Sequence, residues 1–133
     1  MAAPWLTTTT GPDAVARIAV RPENREKLYG RTRAILQQNL PVMRQWAEGF
    51  GNFLTFREPQ AGALCLMRYH SPTLSCQLVE CIRVQQSVLI VPGSHLGLEG
   101  HIRVWLGGKP EFLAEGLRRI AIPLRAEMGR SHV

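Results

Sequence analysis

The residues from Ser87 to Gly108, SVLIVPGSHLGLEGHIRVWLGG, combine a lone cation with glycines that could let a ligand reach it. A β-branched apolar run ends at Pro92-Gly93. A loop carrying Gly93, Gly97 and Gly100 follows, and a second apolar strand then bears Arg103. Its neighbours Ile102, Val104, Trp105 and Leu106 predict a largely buried strand, where a guanidinium is expensive unless it is paired. The planar fork of arginine matches a carboxylate through two parallel hydrogen bonds, and glycines let backbone approach what it holds. An anion site built from Arg103, Gly93 and Gly97 is the sharp reading. A structural ion pair at Arg103 fits the spacing equally well.

Other residues offer less. His70, His95, His101, Cys76 and Cys81 are of metal-ligating type, but their spacings match no tight zinc pattern, so no metal site is expected. Nothing in the sequence predicts a depressed thiol pKa, which leaves a cysteine nucleophile unsupported and no catalytic residue to name. The glycine loop leads from one strand into another. It therefore cannot present a helix N-terminus to a phosphate as dinucleotide and P-loop motifs do.

The elements that must position Arg103 are legible from periodicity. Residues 1–12, with their threonine run and Gly11-Pro12, predict an irregular N-terminal arm, and residues 13–133 a single domain. Asp13 can cap a short helix over Ala14 to Val20, and Pro22 suits the first turn of a long one. Leu28, Ile35, Leu36, Leu40, Met43, Trp46, Ala47 and Phe50 recur as one buried stripe, interrupted at Pro41 by a kink or a break between two helices. Asn52 to Arg57 and Ala63 to Tyr69 predict two strands, and Ser71-Pro72-Thr73 opens a helix with Leu74, Leu78, Val79 and Ile82 inward. Val88 to Val91 and His101 to Leu106 are two more strands. The last helix starts near Pro110, presents Leu113, Leu117, Ile120 and Leu124, and should fray or bend at Pro123. The order α-α-β-β-α-β-β-α predicts an α+β fold, with helices on one side of a small, mainly antiparallel sheet.

Bulk composition narrows the partners. The 133 residues, 45% apolar and 20% charged, suit one globular domain. The formal charge of +6 rests on arginine, with Lys27 and Lys109 the only lysines. The arginines are scattered, with no aromatic-interleaved basic stripe, so a solvated basic surface is expected and nucleic-acid binding is the lesser alternative. Three cysteines without a CxxC pair or a secretory signal predict reduced thiols and a cytoplasmic setting. No apolar run reaches the roughly 20 residues that span a bilayer, so no membrane partner is expected.

The order Pro59-x-Ala61-Gly62, a helix, Val88-Leu89-Ile90-Val91-Pro92-Gly93, Gly97, Gly100 and Arg103 resembles the C-terminal small domain of class I/II aminotransferases, the fold-type I enzymes that use pyridoxal 5'-phosphate. Asn39-Leu40…Trp46 and Phe112-Leu113-Ala114-Glu115-Gly116-Leu117-Arg118-Arg119 extend the resemblance to nearly the whole chain, from Ala14 to Ala126. It implies that Arg103 binds the α-carboxylate of an amino-acid or keto-acid substrate, with Gly93 and Gly97 shaping the substrate side of the loop. It also implies pyridoxal 5'-phosphate in a parent enzyme whose large domain lies upstream and carries the Schiff-base lysine. Neither Lys27 nor Lys109 follows the family's Ser-x-x-Lys pattern, and Leu96 stands where Phe is common. The isolated chain is accordingly expected to bind no cofactor, to catalyse nothing alone and to self-associate. A free-standing amino-acid-binding module is the alternative.

Overall fold

Cys65, Met67 and Tyr69 are buried while Leu64, Leu66 and Arg68 between them are open or half-open, and this alternation decides which face of the sheet the chain covers. The computed structural model describes residues 10–131 and divides the chain into two compact units, residues 1–34 and 35–133. Of the irregular arm expected over residues 1–12, residues 1–9 lie outside the described residues.

In the first unit, helix α1 (Thr10–Ala19) begins earlier than Asp13, because Pro12 is tolerated in a first turn where its missing N–H has no helical partner. Helix α2 (Pro22–Glu48) follows a turn at Val20-Arg21, which Asn24 closes by donating from Nδ2 to the Ile18 carbonyl at 2.8 Å. Leu28, expected in the buried stripe, is 45% exposed, as are its neighbours in this unit Val15, Ile18 and Tyr29 to similar or greater degrees.

The second unit holds the sheet. Strands β1 (Leu54–Phe56), β2 (Leu64–Tyr69), β3 (Val91–Pro92) and β4 (His101–Trp105) pair antiparallel throughout in the order β1-β2-β4-β3. Helices α3 (Ser75–Gln86) and α4 (Pro110–Arg130) complete the predicted order of elements. Strand β3 is shorter than the expected Val88 to Val91, and β1 begins only after a short 3-10 turn over Gly51–Phe53. Met43 and Ala47 of α2, Leu78, Val79 and Ile82 of α3, and Leu113, Leu117, Ile120 and Leu124 of α4 form one buried cluster with Leu54, Cys65, Met67, Tyr69, Ile102 and Val104 of the sheet. All of these sheet residues point to one face, so α3, α4 and residues 35–48 of α2 lie on that side.

Two prolines do not end their helices. Helix α2 is continuous through Pro41, and α4 runs through Pro123 to Arg130 without fraying. Each proline forfeits a backbone hydrogen bond, but the end of α4 is fastened by side chains. Pro123 is buried, and Glu127, 3% exposed, accepts hydrogen bonds from Ser71 Oγ and Thr73 Oγ1 at 2.5 Å each and from Arg130 at 2.5 Å. Burial alone would raise the Glu127 pKa, but these donors outweigh it and hold the carboxyl below its ordinary value.

Candidate anion-binding face

The face of the sheet opposite the helices collects every cation that the strands carry. Register places Thr55, Arg68 and His101 side by side on β1, β2 and β4. The next row is Leu66, Arg103 and Val91, and the row after it Leu64 and Trp105. Strand β4 is therefore not buried throughout, as its apolar content suggested. Ile102 and Val104 are buried, whereas His101 and Arg103 are half-buried and Trp105 is 57% exposed. The physical reason is the period of two. Arg103 shares a face with Trp105, so its guanidinium escapes the full penalty of burial.

Among the described residues, the side chains of Arg103 and Arg68 have neither an acidic partner nor a hydrogen bond. Arg44, Arg83, Arg118, Arg119 and Arg130 are all paired with carboxylates on the helices or the β1–β2 turn. Among the described residues Arg103 therefore forms no structural ion pair, one of the two possibilities that the spacing left open. Leu66 and Val91 flank Arg103 in its row, and these apolar walls would strengthen any ion pair formed there by excluding water.

The loop from Gly93 to Gly100 is fixed to the start of α3. Ser94 donates its backbone N–H to Ser75 Oγ at 3.1 Å, and Glu99 Oε1 accepts the backbone N–H groups of Ser75 at 2.6 Å and Gly100 at 3.0 Å. Those backbone bonds, led by Gly100, hold the Glu99 carboxyl below the ordinary carboxylate value. Gly93 has no room for a side chain, since a Cβ there would meet the Leu98 carbonyl oxygen at 2.1 Å and the His101 Cβ at 2.7 Å. Gly97 adopts φ 71°, a left-handed conformation, with open space around it. Both glycines thus make the turn that delivers the chain to β4. Their backbone groups close that turn, with Gly97 N–H donating to Ser94 O at 3.0 Å and Leu98 N–H to Gly93 O at 2.9 Å.

A concavity of about 860 Å³ opens on the β1–β2 side of this face, lined in part by Arg57, Arg68, Thr55, Gln60, Leu66 and His101. Arg103 is not part of its wall. It stands at the border, directly across from the lining residue Leu66. His101 Nδ1 lies 2.9 Å from the Glu99 carbonyl, which can only accept, so Nδ1 carries the proton.

The remaining candidates are dispersed. Cys65 is buried, and burial pushes its thiol up to about 12. Cys76 Sγ lies 3.0 Å from Ser94 Oγ, and His70 Nε2 lies 3.0 Å from Thr55 Oγ1. Among the described residues no group of three His, Cys, Asp or Glu is placed to hold a metal ion. Lys27 lies on α2 in the first unit and Lys109 precedes α4, and neither lines the concavity beside Arg103. The residues on this face therefore do not fit a covalently held pyridoxal 5'-phosphate, because none offers it an amine.

Asn39 was missed as a positioning residue. Fully buried, it donates from Nδ2 to the carbonyls of Leu106 at 2.7 Å and Gly108 at 2.8 Å, and so fixes the chain leaving β4. A polar residue inside an apolar stripe was the available signal, since burial of an amide demands partners.

The family model described as "Aminotransferase class I and II" matches residues 1–120. Among curated proteins nothing matches. Among solved structures, a PLP-dependent aminotransferase from Streptococcus suis is similar over 86% of this chain and 30% of its own, with 23% identity and a TM-score of 0.77. An aromatic aminotransferase from Pyrococcus horikoshii covers 90% of this chain and 31% of its own, at 20% identity and TM-score 0.70. The α-aminoadipate aminotransferase LysN from Thermus thermophilus covers 81% and 28%, at 20% identity and TM-score 0.68. At these identities the likeness is one of fold. The chain spans about 30% of the length of these solved relatives.

Proposed function

The chain belongs to the class I and II aminotransferases, and from that membership we propose that it supplies the substrate-carboxylate grip of a pyridoxal-phosphate-dependent amino-group transfer. Arg103 holds the α-carboxylate of the amino acid or 2-keto acid by a two-pronged ion pair. The observation that carries the assignment is the unpartnered guanidinium on the open face, walled by Leu66 and Val91. Gly93 and Gly97 serve the same site by bending the loop so that β4 arrives with Arg103 outward. When bound, pyridoxal 5'-phosphate supplies the carbonyl chemistry that exchanges the amino group.

No lysine lines the concavity on the open face, so we assign the amine that holds the cofactor to a polypeptide segment other than residues 10–131. By itself the chain is expected to bind carboxylates without transaminating them. Three free cysteines support a reducing, cytoplasmic setting. Exposed Leu89, Trp105 and Phe112 support assembly with that segment or with another copy of the chain.

Two measurements test the assignment. A thermal-shift screen against amino and keto acids should stabilise the wild-type chain and leave Arg103→Ala unmoved. Incubation with pyridoxal 5'-phosphate and borohydride should leave both Lys27 and Lys109 unmodified by mass spectrometry. Stoichiometric labelling of either lysine would assign the cofactor to this chain and overturn the division of labour.

A further inference from the structure

We propose that the trough between α1 and the start of α2 is a docking surface for an acidic amphipathic helix of another polypeptide. The inference draws on residues 10–34 alone and does not depend on the role given to Arg103. A concavity of about 380 Å³ opens between the two helices, lined by Val15, Ile18 and Ala19 of α1 and by Asn24, Lys27 and Leu28 of α2. Val15 and Ile18 are more than half exposed and Leu28 nearly so, in a unit where no described residue is buried. Helices in proteins owe most of their stability to packing an apolar face against a neighbour, so a trough left open on two helices calls for a third.

Charge selects the occupant. Residues 10–34 carry six cations, Arg17, Arg21, Arg25, Lys27, Arg31 and Arg33, against three carboxylates, Asp13, Glu23 and Glu26. Among the described residues none of the six is bonded to a carboxylate, whereas five arginines of the second unit are. Two of the six stand in the apolar stripe itself. Asn24, Lys27, Leu28 and Arg31 follow the i, i+3, i+4, i+7 spacing of one helix face, and Glu23 and Glu26 fall outside it. A helix with leucines along one stripe and carboxylates beside it would fill the trough and neutralise Lys27 and Arg31 together. Other occupants fit less well. A helix that lies on a lipid surface keeps its cations on the face opposite its apolar one, whereas a bilayer seated here would draw Lys27 and Arg31 toward the acyl chains. A second copy would bring its own Lys27 and Arg31 against these two, like charge to like.

The test is an NMR titration of the 133-residue chain at low salt with two synthetic helical peptides about five turns long. Both carry leucine at i, i+3, i+4, i+7 positions; one flanks that stripe with glutamate, its twin with lysine. The glutamate peptide should shift the resonances of residues 10–34 saturably, bind about tenfold more tightly than the lysine peptide and weaken as salt is added. Lys27→Glu combined with Arg31→Glu should reverse that preference, and Ile18→Gln should weaken the glutamate peptide about tenfold. Far-ultraviolet circular dichroism of each variant checks that the helices are retained. Equal binding of the two peptides, or a preference that survives the charge reversal, would overturn the choice of an acidic partner. Failure of the glutamate peptide to bind would overturn the docking surface itself. Vesicles of phosphatidylcholine and phosphatidylglycerol that shift residues 10–34 where the glutamate peptide does not would give the face to a membrane instead. Shifts of the same residues on concentrating the chain alone, which the glutamate peptide fails to displace, would give it to a second copy.

Discussion

The two faces of the sheet are built from alternate residues of the same strands and obey opposite rules. On the helix side, Ile102, Val104, Cys65 and Met67 are sealed among side chains from three helices, and each owes its identity to volume. On the open side, Arg103, Arg68 and His101 lie outside that core, and the two arginines have no ionic partner among the described residues. One residue step along β4 thus crosses from a position set by packing to an open one, to which we assign recognition. Stability and function should separate across that step.

The largest effects are expected on the covered face. Ile102→Ala removes a fully buried side chain and should cost about 2–5 kcal/mol in urea denaturation. Its neighbour Arg103→Ala should change stability by no more than about 0.5 kcal/mol while abolishing carboxylate binding. A large destabilisation by Arg103→Ala would make that residue structural and erase the contrast.

The loop sharpens the same comparison with two glycines. Gly93→Ala forces a methyl into the Leu98 carbonyl and should lose about 1–3 kcal/mol or more, disturbing both faces together. Gly97→Ala meets no atom and is penalised only by its left-handed backbone, by about 1–2 kcal/mol. Thermal melts of the two variants should rank them in that order, and equal melts would show that the turn can relax around Gly93.

The smallest effect concerns pH. Glu127 and Glu99 are both held below the ordinary carboxylate value in the folded chain. Their contribution is fully present above the unfolded pKa of about 4.3 and is lost as pH falls through the lower folded values. The melting temperature should therefore be nearly flat down to about pH 5 and decline below it. In Glu127→Gln the acid-side decline should be shallower, from a lower starting stability. An unchanged slope would mean that Ser71 and Thr73 do not hold the ionised carboxyl.

Much of this was legible in the sequence because hydrophobic period reports burial directly. The order of helices and strands followed from it, as did the inner faces of α3 and α4 at Leu78, Val79, Ile82, Leu113, Leu117, Ile120 and Leu124, whereas Leu74, expected inward on α3, precedes that helix and is 52% exposed. Strand β4 misled because Trp105 is apolar yet lies on the open face, hiding the alternation that its neighbours obey. Arg68 was passed over for a different reason. Its relation to Arg103 arises from a register between strands thirty-five positions apart, and no local pattern encodes cross-strand pairing. The prolines at 41 and 123 were read from local backbone cost alone, whereas the side-chain ties at Asn39 and Glu127 act over long separations.

The central claim is that the Arg103 guanidinium is free to hold a carboxylate. Titration of the chain with pyruvate, following the arginine Nε–Hε resonances, tests it most directly. The Arg103 signal should move saturably, and Arg103→Gln should lose the binding while melting at the wild-type temperature. A stationary Arg103 signal, or pyruvate binding that survives Arg103→Gln, would contradict the account.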